Sequence, residues 1–125
     1  MAETKTRGRA VTLIVMGVIA LAGLLGGCSS QTIDATGATV IDVRTPAEYA
    51  AGHLQGAVNI DVQSADFATK IAALDKSAHY IVYCRTGVRS ANAASTMKAA
   101  GFTNVTDGHG MDAASKSTGL PVVTT

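Results

Sequence analysis

The sequence predicts an α/β fold in which a small, mainly parallel central sheet is flanked by helices. Segments 40–43 (VIDV) and 80–83 (YIVY) are short runs of the kind that form buried strands. Helical patterns lie between and after them, and parallel strands need such crossovers on the faces of their sheet. The chain has 125 residues, of which 47% are hydrophobic and 15% charged. This composition allows one packed domain and little else.

The first strand leads into a well-marked short helix. Thr45 is a capping residue, Pro46 suits the first helical position, and Glu48 three residues on can complete a capping box. Gly52 is expected to end this helix. Asp42, Arg44 and Glu48 are interpreted as scaffold residues that tie the strand end to the helix, with Arg44 paired to an acid.

The remaining elements follow in alternation. We expect a second strand at 57–60, and then a helix capped by Asp66 whose apolar stripe is Phe67, Ile71 and Leu74. After the strand at 80–83, a helix from about 90 to 100 should end before Gly101. The last strand is expected to begin within 102–105.

The N-terminus has the profile of an export signal. Lys5, Arg7 and Arg9 precede residues 10–25, a run without charge. The following Leu25-Gly26-Gly27-Cys28 resembles the bacterial lipobox, which implies cleavage before Cys28 and lipidation of its thiol. We therefore expect a signal peptide at 1–27, a tether at 28–38 and a domain at 39–125, exported and lipid-anchored to the outer face of the bacterial cell membrane. An uncleaved transmembrane anchor and a cleaved soluble protein remain alternatives.

Charge and histidine spacing exclude two classes of site. A formal net charge of +1 shows no basic footprint for nucleic acid. His53, His79 and His109 show no metal-ligand spacing with one another or with Cys84. His53 is predicted to be a hydrogen-bonded scaffold residue and His79 an exposed one.

Cys84 follows the clearest strand and precedes a helix, at the carboxyl edge of the sheet where ligands bind. Amides of the turn, the helix dipole and the nearby Arg85 and Arg89 would favour its thiolate and lower its pKa. An activated thiol should also be reachable by solvent. The alternative is a buried strand-end cysteine that acts as a small hydrophobic residue.

Segment 84–90 (CRTGVRS) resembles the active-site loop of single-domain rhodaneses. Segments 41–49 (IDVRTPAEY), 52–54 (GHL) and 56–57 (GA) match that family's other hallmark stretch in order, and the resemblance runs from about Val40 to Val123. It departs from the family in the short stretch before Val40 and at 107–111 (DGHGM), a predicted loop where relatives usually carry paired glycines. Family geometry implies that this loop lies near the pocket, so His109 is either a contact for donor or acceptor or a surface loop residue.

The resemblance implies a rhodanese-like three-layer domain and a sulfurtransferase without metal or organic cofactor. Cys84 would take sulfane sulfur from a small anionic donor such as thiosulfate and pass it, through a persulfide, to a thiol or cyanide. The implied substrate-binding residues are Arg85, Thr86, Gly87, Val88, Arg89 and Ser90.

Two other functions stay open. A cysteine phosphatase or arsenate reductase loop would need five residues between Cys and Arg, whereas four separate Cys84 from Arg89. A non-catalytic module would use the same fold to dock a partner or to carry sulfur at the membrane surface.

Overall fold

A parallel sheet organises residues 31–125, the part of the chain that this computed structural model describes. The predicted signal peptide 1–27 and Cys28, the predicted site of lipidation, lie outside the described residues. The elements follow in the order β1 (Thr39–Asp42), α1 (Pro46–Ala51), β2 (His53–Leu54), β3 (Val58–Asn59), α2 (Phe67–Ala72), β4 (Tyr80–Cys84), α3 (Val88–Ala99), β5 (Val105–Gly110), α4 (Met111–Thr118) and β6 (Val122–Val123). Four strands form the main sheet in the order β3-β1-β4-β5, with every pair parallel.

Alternation along β4 divides the core between the two faces of the sheet. Tyr80, Val82 and Cys84 pack on one face with buried residues of α2 and α3. Ile81 and Tyr83 pack on the other face, where α4 contributes Ala114. The predicted α/β architecture, with a mainly parallel sheet between helices, is therefore confirmed.

The capping box at the start of α1 forms as predicted. The Glu48 amide donates to the Thr45 hydroxyl at 3.3 Å, and the Thr45 amide donates back to the Glu48 carboxylate at 3.0 Å. The Gly52 amide then donates to the Tyr49 carbonyl at 3.1 Å and closes the helix. These reciprocal bonds satisfy orphan amides and fix the angle at which α1 leaves the sheet.

The predicted cap of α2 is wrong in detail. Asp66 makes no side-chain capping bond. Its carboxylate instead accepts from the Ser64 hydroxyl and pairs with Lys70 at 3.1 Å. The expected stripe still faces the core, with Phe67 and Ile71 buried, although Leu74 packs there from beyond the helix end.

Helix α3 begins at Val88, two residues before the predicted start, and ends at Ala99. Gly101 follows with a φ of 98°, the left-handed conformation expected of a glycine that terminates a helix.

Three elements were not predicted from the sequence, namely α4, β2 and β6. Helix α4 covers the second face of the sheet, and β6 pairs antiparallel with β2. Segment 107–110, interpreted above as a loop, is the end of β5. The predicted tether also docks, because the Ile33 amide donates to the Ser117 carbonyl at 2.8 Å and its side chain packs near α4.

A buried ionic network joins the strand ends. Asp42 is fully buried and accepts from the Arg44 amide and guanidinium, the shortest contact being 2.6 Å to Nη2. It also accepts from the Tyr83 hydroxyl at 2.8 Å, and that hydroxyl accepts from the Leu54 amide at 2.9 Å. The predicted pairing of Arg44 with an acid is confirmed.

Two histidines have scaffold contacts. His53 is buried, its Nδ1 lies 2.8 Å from the Tyr49 carbonyl oxygen, and its ring stacks on Tyr49, which confirms its predicted role. The prediction that His79 is simply exposed is wrong, because its half-buried ring lies 3.1 Å from the Thr106 hydroxyl, contributed by the neighbouring strand β5. Within residues 31–125, no helix has the length and apolar character needed to cross a membrane.

Asp42→Asn should destabilise the domain by about 3 kcal/mol, because it leaves the buried Arg44 guanidinium without its counter-charge. Urea unfolding followed by circular dichroism measures this loss. Asp112→Asn, at an exposed position of α4, is the control and should change the free energy of unfolding by less than about 0.5 kcal/mol. Equal effects of the two substitutions would contradict a structural role for the network.

Candidate functional site

Cys84 is the last residue of β4, and a three-residue turn (85–87) separates it from the first residue of α3. Gly87 adopts a φ of 102°, a left-handed conformation that glycine adopts without strain. A Cβ at this position would meet the backbone and side chain of His109 at 3.5 Å. The turn therefore bends tightly over the strand end while β5 closes its outer side.

The sulfur of Cys84 lies within a set of hydrogen-bond donors. The Gly87 amide donates to Sγ at 3.0 Å, and the Ser90 Oγ lies 3.7 Å from Sγ. The Ser90 hydroxyl is also within reach of two carbonyl oxygens, those of Gly87 at 3.1 Å and His109 at 3.3 Å. When the thiol ionises, this hydroxyl can turn toward the sulfur and stabilise the negative charge.

The pKa of Cys84 lies below the ordinary value of a cysteine. Burial acts to raise this pKa, but the Ser90 amide and hydroxyl, followed by the amides of Gly87 and Thr86, outweigh it by hydrogen bonding to the thiolate. The predicted lowering and the predicted contribution of the turn amides are confirmed, whereas the predicted contribution of the two arginines is not. Backbone amides and a serine account for the lowering, and the guanidinium groups of Arg85 and Arg89 are not among its main causes.

The expectation that solvent reaches the thiol is wrong. Cys84 has a relative exposure of 0% and belongs to the hydrophobic core beneath α3. The main reason is that the turn and the end of β5 close over the strand. Nucleophilic attack by this sulfur consequently requires the residues above it to move aside.

Arg89 is held by a carboxylate from another part of the chain. Its two terminal nitrogens donate to the two Glu48 oxygens at 2.8 and 2.9 Å, in a bidentate ion pair. Arg89 first, and the Thr45 amide second, lower the pKa of Glu48 to about 2. Arg89 was predicted to bind the sulfur donor, but its guanidinium is also held in this structural ion pair. The ion pair was not predicted from the sequence.

The other residues of the predicted loop differ in exposure. Arg85, Thr86 and Val88 are exposed, Val88 by 76%, whereas Ser90 is fully buried. Among residues 31–125, Arg85 has no hydrogen-bond or ion-pair partner for its side chain. Arg85 is one of the residues that line a cleft of about 320 Å³, together with Arg44, Glu48, Ala51, Gly52, Met111 and Val122.

The end of β5 approaches the loop at its backbone. Gly110 pairs with Cys84, and a Cβ on Gly110 would lie 2.8 Å from the Arg85 carbonyl oxygen. His109, just before it, has a φ of 65°, and its amide donates to the Asp107 carboxylate at 2.8 Å. His109 therefore adjoins the loop through its backbone, while its side chain is 69% exposed. The sequence analysis identified His109 but did not single out Gly110, whose contact depends on the register of β5.

No group of three or more His, Cys, Asp or Glu residues within 31–125 is arranged to hold a metal ion. The chemical resources of the site are a thiol with a lowered pKa, the amides around it, and one unpaired guanidinium in the part of the chain that the structure describes. Such a set can stabilise a sulfur nucleophile and attract small anions.

The family comparison agrees with this geometry. Residues 29–110 match the Rhodanese-like domain family. Since the match covers more than half of the chain, the protein belongs to the rhodanese-like domain family.

Several relatives carry the name thiosulfate sulfurtransferase. One from Pseudomonas entomophila, GlpE, is 44% identical over 72 residues, which cover 57% of this chain and 63% of the relative. PspE from Escherichia coli is 35% identical over 71 residues, covering 57% of this chain and 68% of the relative. The chain thus spans about two thirds of the length of these curated relatives.

Solved structures show the same fold. A structure described as rhodanese with anions from E. coli has a TM-score of 0.59 and 32% identity, covering 70% of this chain and 99% of that one. A rhodanese-related protein from Thermoplasma volcanium has a TM-score of 0.60 and 30% identity, covering 74% and 97%.

Ser90→Ala should raise the pKa of Cys84, because it removes the hydroxyl that stabilises the thiolate. Titration of the ultraviolet absorbance of the thiolate, with Cys84→Ser as the blank, measures the shift. Ser117→Ala removes a hydroxyl from α4 and is the matched control, for which the titration curve should not move. An unshifted curve for Ser90→Ala would show that the amides alone account for the lowered pKa.

Proposed function

We propose that this protein is a rhodanese-type sulfurtransferase that carries sulfane sulfur on Cys84. The observation that carries the proposal is the thiol at the end of β4, whose sulfur accepts the Gly87 amide at 3.0 Å and whose pKa is lowered. A thiolate stabilised by fixed amides is the state required for nucleophilic attack at neutral pH.

In the first half of the reaction, the Cys84 thiolate attacks the terminal sulfur of thiosulfate. A bond forms between Sγ and that sulfur, while the bond from that sulfur to the sulfonate group breaks. Sulfite leaves with the electron pair, and the enzyme holds a persulfide. The choice of thiosulfate rests on the names of the relatives, which are thiosulfate sulfurtransferases.

In the second half, a thiolate or cyanide attacks the outer sulfur of the persulfide. The bond between the two sulfurs breaks, and its electron pair returns to Sγ as the thiolate. The same donors that lower the pKa of Cys84 stabilise this leaving group, namely the amides of Ser90, Gly87 and Thr86 and the Ser90 hydroxyl. One set of contacts thus serves both halves, and neither half requires a metal or an organic cofactor.

The loop residues have different roles in this proposal. Thr86, Gly87 and Ser90 hold the sulfur, and Val88 begins the helix that follows. Arg85, exposed and free of partners among the described residues, is available to a dianionic donor. Arg89 contributes charge from its ion pair with Glu48.

A second candidate function is a non-catalytic module that docks a partner or carries sulfur. The complete burial of Cys84 favours the docking form of this alternative, since a thiol at 0% exposure is out of contact with solvent, whereas a sulfur carrier needs the same access to Sγ as the enzyme does. The lowered pKa favours the enzyme, because a cysteine that serves only as a small hydrophobic residue needs no stabilised thiolate.

The proposal places the domain outside the cytoplasm, at the outer face of the bacterial cell membrane, held by lipid on Cys28. Its support is the order of a basic start, an uncharged run at 10–25 and Leu25-Gly26-Gly27-Cys28. More than one acyl chain gives firm attachment to a bilayer.

Thiosulfate treatment should add one sulfur atom to Cys84, seen as a mass increase on the peptide that contains it. Cys84→Ser should show no increase and no turnover of thiosulfate with cyanide. A persulfide without turnover would support the carrier module, and absence of both would exclude sulfur chemistry at this residue.

Cells that express the full chain and receive labelled palmitate should incorporate the label, and Cys28→Ser should abolish it because the acylated thiol is gone. Cys84→Ser is the matched control and should retain the label. Equal labelling of wild type and Cys28→Ser would contradict lipidation at this residue.

A further inference from the structure

The cleft of about 320 Å³ adjoins the Cys84 loop at two points. Arg85 belongs to the turn itself, and Glu48 binds Arg89 in the first turn of α3. Because Cys84 does not line the cleft, the cleft lies beside the Cys84 sulfur and not over it. Its volume is at the small end of the range of ligand sites, about 300 to 1,000 Å³.

The charges that line the cleft leave one cation available. Arg44 is neutralised by the buried Asp42, and Glu48 by Arg89. Arg85 has no such partner within residues 31–125. The cleft therefore offers a positive charge to an anionic group of a ligand.

The cleft also has apolar lining residues. They are Ala51 of α1, Met111 of α4 and Val122 of β6, and Val122 is 45% exposed. Thiosulfate and cyanide have no aliphatic carbon that would gain from contact with these residues. A molecule that combines an anionic group with a short carbon chain would use both the charged and the apolar lining of the cleft.

We propose that this cleft is the binding site of the sulfur acceptor, and that the acceptor is a low-molecular-weight thiol carrying a carboxylate. Arg85 binds the carboxylate, and Met111 and Val122 contact the carbon chain. This proposal rests on the sulfurtransferase activity proposed above and specifies the chemical class of its second substrate.

The transfer step needs no further reactant. The thiolate of the acceptor attacks the outer sulfur of the Cys84 persulfide, forming a new bond between these two sulfurs. The bond from the outer sulfur to Sγ breaks, and the electron pair remains on Sγ. The acceptor leaves as a persulfide, and any proton on the outer sulfur leaves with it.

The test measures this half of the reaction alone. The enzyme is loaded with thiosulfate, freed of excess donor, checked by mass for the added sulfur, and mixed with 3-mercaptopropionate or the neutral 2-mercaptoethanol. Each variant is compared with the wild type separately for each thiol, so that the intrinsic reactivities of the thiols cancel. Arg85→Gln should slow discharge to 3-mercaptopropionate about fivefold more than it slows discharge to 2-mercaptoethanol. Arg85→Lys should recover part of the loss.

A second pair of variants tests the cleft without altering the loop. Val122→Asp places a negative charge in the cleft and should slow discharge to 3-mercaptopropionate about threefold, with little effect on 2-mercaptoethanol. Val58→Asp is the matched control, because Val58 is 44% exposed, compared with 45% for Val122, and lies in β3 at the far edge of the sheet. It should behave as the wild type with both thiols.

The failures are distinguishable. If no sulfur is added to Cys84, the sulfurtransferase proposal falls and the acceptor proposal with it, before any thiol is mixed. If the persulfide forms but Arg85→Gln slows both thiols equally, or Val122→Asp and Val58→Asp behave alike, the acceptor site alone is overturned.

Discussion

One buried carboxylate, that of Asp42, determines the geometry of the edge at which the site lies. It is bonded to the backbone and side chain of Arg44 and to the hydroxyl of Tyr83, which in turn accepts the amide of Leu54. The ends of β1, β4 and β2 are thus all bonded, directly or through the Tyr83 hydroxyl, to a single charge. Removing one partner of a buried ion pair leaves an uncompensated charge, so loss of any one of these contacts destabilises the others. Cys84 directly follows Tyr83 and takes its position from this network.

The two arginines of the loop have separate tasks because Glu48 binds only one of them. Glu48 completes the capping box of α1 and also binds both terminal nitrogens of Arg89. A single side chain therefore couples the start of α1 to the start of α3. Arg85 remains at the surface, and its charge is available to molecules that approach the loop. The two arginines have the same side chain, and they differ in role because the Glu48 carboxylate reaches Arg89 and not Arg85.

The sequence predicted the features that depend on neighbouring residues and missed several that depend on distant ones. The capping box of Thr45 and Glu48, the terminating Gly101 and the buried strand at 80–83 are local patterns, and all are present. The bond between Glu48 and Arg89 spans 41 positions and has no local signature. Helix α4 was missed because its sequence, MDAASKST, has small and polar residues in place of an apolar stripe. The burial of Cys84 depends on the contact of Gly110 with Arg85, which only the register of β5 determines.

The zero exposure of Cys84 limits which cysteines of other proteins it can meet. A mixed disulfide needs the two sulfurs to approach to about 2 Å, and a thiol on a bulky folded surface cannot come that close to an atom that even water does not touch. Burial thus shields the thiol of Cys84 from cross-linking to other proteins and from overoxidation.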